Sequence, residues 1–152
     1  MLWKIRFNVV RIGDDRASLS ARLELKDYCS AVVIDQGFAY LSGPGYSAYW
    51  GMYDGYYGTA GELTIIDLAD PENPVKYEHT LAGGGVQVIG AKRGNIFVRS
   101  SNEIGCYDVT DPQHPGLDEY KSQSNWIYRV IFSGGNAYVP LGYAGLWVKN
   151  LE

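Results

Sequence analysis

The carboxylates are the first residues to ask about chemistry. Asp67, Asp70, Asp108 and Asp111 fall in two copies of one signature, 41 residues apart. The copies are Asp67-Leu68-Ala69-Asp70-Pro71-Glu72-Asn73-Pro74 and Asp108-Val109-Thr110-Asp111-Pro112-Gln113-His114-Pro115. Neighbouring acids can ligate a cation, or divide acid and nucleophile work in glycoside hydrolysis. Asp54 with Glu62, or Asp14 with Asp15, could be arranged as such a pair. A catalytic acid is expected to occur once, however, whereas a turn acid recurs at every corner. An aspartate ahead of proline accepts hydrogen bonds from turn amides. Proline has a fixed φ and no amide donor, so it stays out of the middle of a sheet. The four aspartates, with Pro71, Pro74, Pro112 and Pro115, are therefore read as structural turn residues. No catalytic set, metal site or cofactor is expected.

The other reactive groups are few. His79 stands on a polar-alternating run and His114 inside a proline turn, and both are expected at the surface. Cys29 and Cys106 occupy apolar, strand-like positions without Cys-x-x-Cys spacing, which favours two unpaired buried thiols. No Gly-x-Ser-x-Gly elbow, phosphate loop or His-x-x-x-His spacing occurs. Gly83-Gly84-Gly85 lacks a following Lys and opens a strand, so it reads as a turn. Net charge is −4 with a pI near 5.1, which argues against nucleic acid as a partner. Lys4, Arg6, Arg11, Arg16, Arg22 and Lys26 are expected as solvent-facing strand residues. No apolar run reaches membrane-spanning length. The early run Phe7–Val10 is too short and interrupted for a signal peptide.

Nineteen glycines and thirteen tyrosines in 152 residues suit strands joined by tight turns. The signature anchors an internal alignment with four elements. Strand a is the continuously apolar run Ala31–Ile34, Val86–Ile89 and Tyr128–Phe132, expected to be the most buried. Strand b follows a glycine turn: Gly37–Leu41, Gly94–Val98 and Gly135–Val139. Strand c precedes the signature: Leu63–Ile66, Ile104–Tyr107, Leu146–Leu151 and, more weakly, Phe7–Asp14. Strand d alternates apolar and polar residues, as in Val75–His79 and Leu19–Leu25, with Leu117–Tyr120 a looser match. The expected fold is all-β, built of four-stranded antiparallel blades of about 41 residues, a size typical of β-propellers.

A strand ending in aspartate, then Asp-Pro-x-x-Pro, a strand, and a Gly-Asn hairpin with an aromatic run resembles the LVIVD-repeat β-propeller family. The resemblance covers about residues 28–151 and, more weakly, 1–27. The name-giving run reads Leu63-Thr64-Ile65-Ile66-Asp67 here. The resemblance implies a propeller without general enzymatic activity, in an extracellular or cell-surface setting.

The strand order is c-d, a-b-c-d, a-b-c-d, a-b-c, an incomplete ring of slightly over three blades. It divides as a partial blade 1–27, a blade 28–80, a blade 81–121 and a partial blade 122–152. A shared blade in a homo-oligomer, a fragment of a longer propeller, and an unusual closed or open sandwich all account for the count. The blade 28–80 is longer than the others by an insertion, 46–60, in which Tyr46, Tyr49, Trp50, Tyr53, Tyr56 and Tyr57 crowd around Asp54-Gly55. This reads as a projecting hairpin. Propeller topology would put it on one face with Trp126 and Tyr143. Those eight aromatic residues form the candidate ligand- or partner-binding set, because tyrosine and tryptophan favour contact sites. The leading expectation is a non-enzymatic interaction or structural module. A glycan-binding propeller using the hairpin is the first alternative, and a hydrolase with unidentified carboxylates the second.

Overall fold

Three dipeptides fold the chain tightly back on itself. Gln36-Gly37, Arg93-Gly94 and Gly134-Gly135 each place two consecutive residues at positive φ. That geometry matches the right-handed twist of the flanking strands, and glycine reaches it without a Cβ penalty. The computed structural model describes residues 4–26, 29, 31–43, 61–81, 86–100, 103–122 and 129–152.

The strands assemble into four antiparallel sheets in chain order. The first holds β1 (Ile5–Ile12) and β2 (Ala17–Leu25). The second runs β3 (Ala31–Asp35), β4 (Phe38–Gly43), β5 (Gly61–Asp67), β6 (Val75–Leu81). The third runs β7 (Gln87–Lys92), β8 (Asn95–Arg99), β9 (Glu103–Asp108), β10 (Gly116–Ser122). The fourth holds β11 (Ile131–Ser133), β12 (Asn136–Pro140) and β13 (Leu146–Asn150), with one short 3-10 turn at Gly142–Ala144. Every strand pairs with its sequence neighbour, so each sheet is a simple meander, and no sheet closes on itself. The fold is all-β, with two four-stranded antiparallel sheets among the four. Among the described residues no helix is long and apolar enough to cross a membrane.

The central strand pairs share one register. Phe38 faces Asp67, Asn95 faces Asp108, and Asn136 faces Asn150. A backbone bond then repeats at each site: Leu68 N–H donates to Gly37 O at 2.8 Å, Val109 N–H to Gly94 O at 2.8 Å, and Leu151 N–H to Gly135 O at 2.9 Å. Each latches the end of the third strand of a meander onto the preceding hairpin. A side chain adds a second latch. Asp67, Asp108 and Asn150 accept from the amides of Ala69, Thr110 and Glu152 through Oδ1 at 2.7–2.9 Å.

The sheets pack serially through three apolar layers. Phe7, Leu23 and Leu25 of the first sheet meet Ala39, Leu41 and Ile66 of the second. The other face of the second sheet, with Tyr40, Leu63 and Ile65, meets Val88, Ile96 and Val98 of the third. The third sheet's opposite face, with Phe97, Ile104 and Cys106, meets Ala137, Val139 and Trp147 of the fourth. Strand side chains alternate in direction, so the second and third sheets carry apolar residues at both parities and bury both faces. Each fully buried Leu or Ile contributes about 1.5–3 kcal/mol to this stack. Ring edges tighten the last layer, where Phe97 lies 5.9 Å from Phe132 and 5.8 Å from Trp147.

Two expectations are corrected. β4 and β8 are buried almost throughout, and of the three apolar runs before such strands only Val86–Ile89 is comparably buried. Val32 and Ile34 on β3, and Ile131 on β11, are exposed. Those strands lie at sheet edges, whereas β4 and β8 are flanked on both sides; β7 is an edge strand too, but β3 and β4 of the second sheet pack on it and bury it. His79 is half-buried rather than a plain surface residue. Its Nε2 lies 2.8 Å from Pro112 O and ties the second sheet to the third sheet's proline corner.

Candidate functional site

The repeated aspartates sit at exposed corners after β5 and β9, where proline ends the pairing. Asp70 Oδ1 accepts from Glu72 N–H at 3.0 Å, and its Oδ2 from Asn73 Nδ2 at 2.9 Å. Asp111 does the same, with Gln113 N–H at 2.9 Å and His114 Nδ1 at 2.9 Å. These bonds hold both carboxyls below the usual carboxylate range, the Asn73 and His114 side chains contributing most. Asp108 is lowered in the same way by the Thr110 amide and hydroxyl. Acceptors saturated by their own turn favour ionisation and are poorly placed to shuttle protons. Asp14 and Asp15 are exposed at the β1–β2 turn. Glu62 ion-pairs with Lys26 at 3.5 Å. Among the described residues no three His, Cys, Asp or Glu groups gather in a metal-holding arrangement.

Of the aromatic set, Tyr143 lies on the 3-10 turn with 93% of its surface exposed. Tyr46, Tyr49, Trp50, Tyr53, Tyr56, Tyr57 and Trp126 lie outside the described residues, as does Asp54. The thiols are free, with Cys29 half-buried and Cys106 buried. Burial pushes the Cys106 thiol up to about 12. The six early cations are exposed. Lys4 pairs with Glu24 at 2.8 Å and Arg11 with Glu72 at 2.9 Å.

Two concave sites escape the sequence reading. A cavity of about 130 Å³ is lined by Tyr107, Leu117 and Tyr120, with Glu103 and Ser100 at its polar side. Gly105 leaves it open: a Cβ there would meet the Tyr107 ring at 2.8 Å and Leu117 at 3.1 Å. A second cavity, about 170 Å³, lies between Lys92, Arg93 and Phe132 near the Gly134-Gly135 turn. Strand periodicity alone could not reveal either, because their walls come from different strands.

Exposed apolar side chains occur on all four sheets, and those of the first and fourth lie beside one another across paired strands. On the fourth sheet, Ile131, Tyr138 and Val148 lie side by side across three strands, and Pro140 pairs with Leu146 beside them. Leu146 is 59% exposed and Val148 50%. On the first sheet, Val10 pairs with Leu19, and Ile12 follows two residues on, 83% exposed. No known protein family, curated protein or solved structure matches the chain.

Proposed function

We propose that this chain is a non-enzymatic, propeller-type interaction or structural module that self-associates or completes a larger assembly. The supporting observation is the pair of uncovered apolar end faces. The central strands of the second and third sheets bury both faces and leave apolar residues in water only on their outer strands, whereas the first and fourth sheets each bury one face and leave aliphatic residues of the other in water. Clustered exposed apolar surface of this kind marks interaction sites. The turn chemistry of Asp67, Asp70, Asp108 and Asp111 supports a structural role for the signature. The LVIVD-repeat resemblance, and with it the extracellular or cell-surface setting, belongs to the same reading.

Light scattering of the purified chain across a dilution series tests it. A mass that rises above 16.8 kDa with concentration is expected. A monodisperse monomer at every concentration refutes self-association.

A second reading is favoured by the cavity between Tyr107 and Tyr120. Aromatic walls beside a carboxylate suit stacking of a sugar ring with hydrogen bonds to its hydroxyls. On a glycan array, Tyr120→Ala would abolish binding if this cavity is used. Deleting residues 46–60 would abolish it if the Tyr/Trp-rich segment is used. An array with no signal for the unaltered chain removes the glycan reading.

A further inference from the structure

We infer that the exposed face of the fourth sheet docks, head to tail, on the exposed face of the first sheet of a second copy. This rests on the self-associating reading above and names the surfaces that would carry it.

Register carries the argument. Tyr138 faces Val148 and Pro140 faces Leu146 in the fourth sheet. Counted from the shared reference pairs, these correspond to Tyr40 facing Ile65 and Ser42 facing Leu63 in the second sheet. In the third they correspond to Phe97 facing Cys106 and Arg99 facing Ile104. All eight residues of the second and third sheets are buried; the six apolar ones lie in the layers shared with the next sheet along, and Ser42 Oγ accepts from Val88 N–H of that sheet. Among the described residues, the same four positions in the fourth sheet meet no further sheet.

The first sheet carries part of the opposite half. Aligning Arg11 with Asp67 and Asp108 places Val10 and Ile12 on Ile66 and Leu68, and on Tyr107 and Val109. Those residues receive the preceding sheet: Ile66 and Leu68 pack on the first, Tyr107 and Val109 on the second. Among the described residues no sheet covers Val10 and Ile12, which are exposed. The fourth sheet therefore exposes the donating face of this layer, and the first sheet exposes, at Val10 and Ile12, the third-strand part of the receiving face. A second copy presents that part of the receiving face to the donating one, without the second-strand residues, such as Ala39 and Leu41 or Ile96 and Val98, that complete it inside the chain. Joining the sheets edge to edge is less apt. β12 is already hydrogen-bonded to β11 and β13, so β1 cannot gain the neighbour that β4 is to β5 and β8 is to β9. A face-to-face contact leaves every strand pairing intact. Being heterologous, it closes a ring or runs into a filament.

Ile12→Asp and Val148→Asp test the contact, since both side chains point into solvent in a single copy and folding is unaffected. Each is expected to weaken association by roughly 100-fold or more, because the contact would bury an unpaired charge. Each variant alone is then a monomer by sedimentation. Mixed one to one, they are expected to form a dimer, because Ile12→Asp keeps an intact fourth sheet and Val148→Asp an intact first sheet. Ile34→Asp, on the exposed edge of the second sheet, is expected to leave association unchanged. A monomeric unaltered chain overturns self-association itself. An oligomer indifferent to both substitutions overturns only the assigned surfaces. Loss with Val148→Asp but not Ile12→Asp, or a mixture that stays monomeric, overturns the head-to-tail pairing. Dissociation by Ile34→Asp replaces it with a shared sheet.

Discussion

Replacing Phe97 by alanine is the most direct probe of the serial packing. Phe97 is fully buried between the third and fourth sheets and contacts the rings of Phe132 and Trp147. Truncating a buried phenylalanine costs about 3–5 kcal/mol. Two ring contacts, each worth about 0.5–1.5 kcal/mol beyond burial, place this site near the top of that range. A chain of 152 residues has roughly 8–20 kcal/mol of stability, so the variant should still fold. A loss of about 4 kcal/mol lowers the melting temperature by roughly 8–16 °C at this size. Tyr138→Ala is the matched control: it occupies the same register position one sheet later but is half-exposed. In dilute solution it should cost about 1 kcal/mol or less. Urea unfolding, followed by the fluorescence of Trp147 and the other tryptophans, measures both. If Phe97→Ala costs less than about 1.5 kcal/mol, the third and fourth sheets do not pack as described. If Tyr138→Ala costs as much as Phe97→Ala in dilute solution, its face is covered within one chain and the end-face reasoning fails.

Gly94 combines a φ of 73° with a Cβ position 2.6 Å from Thr110 Cγ2. Gly94→Ala should lower the urea midpoint clearly, while Gly116→Ala, which meets open space, should not. Asp70, Asp108 and Asp111 have folded pKa values below the ordinary carboxylate value, so their stabilisation is complete above about pH 3.9. It is lost as pH falls through the lower folded values. The urea midpoint should therefore drop on acidification below that point, less so in Asp70→Asn; an unchanged acid slope in a variant lacking all three carboxylates would contradict this. Cys106, with its thiol pushed up to about 12 by burial, should resist alkylation at neutral pH until urea unfolds the chain. Mass spectrometry of the folded, alkylated protein should show label at Cys29 before Cys106.

Much of the backbone was legible because local chemistry dictates it. Glycine hairpins before aromatic runs, and prolines that cannot join a ladder, mark strand limits without reference to the rest of the chain. The sheets group as two, four, four and three strands, following the order read from the sequence. Burial was less legible, because it depends on what a neighbouring sheet covers. Val32 and Ile34 are as apolar as Ala39 and Leu41, yet only the latter pair lies on a strand flanked at both edges. His79 looked like an ordinary outer-strand residue because its acceptor, Pro112 O, belongs to a corner 33 positions away. The cavity beside Tyr107 was hidden for a related reason: Tyr107 and Leu117 face each other across β9 and β10, and only their shared register brings them together. Tyr143 was the part of the aromatic set that could be compared with expectation, and it is exposed on its turn.

Each apolar layer joins only adjacent sheets, so stability in this chain propagates by nearest neighbours. Such a stack behaves as a one-dimensional array, in which an end unit has one coupling and an inner unit two. The first sheet can then detach at the cost of its single layer, through Phe7, Leu23 and Leu25, while the layer around Phe97 persists. Amide exchange should therefore be graded along the chain: β1 and β2 exchange by opening of one layer, whereas β4, β5, β8 and β9 wait for the array to come apart. Loss of structure at the first sheet should then precede the main transition reported by Trp147, which is the one that Phe97→Ala perturbs.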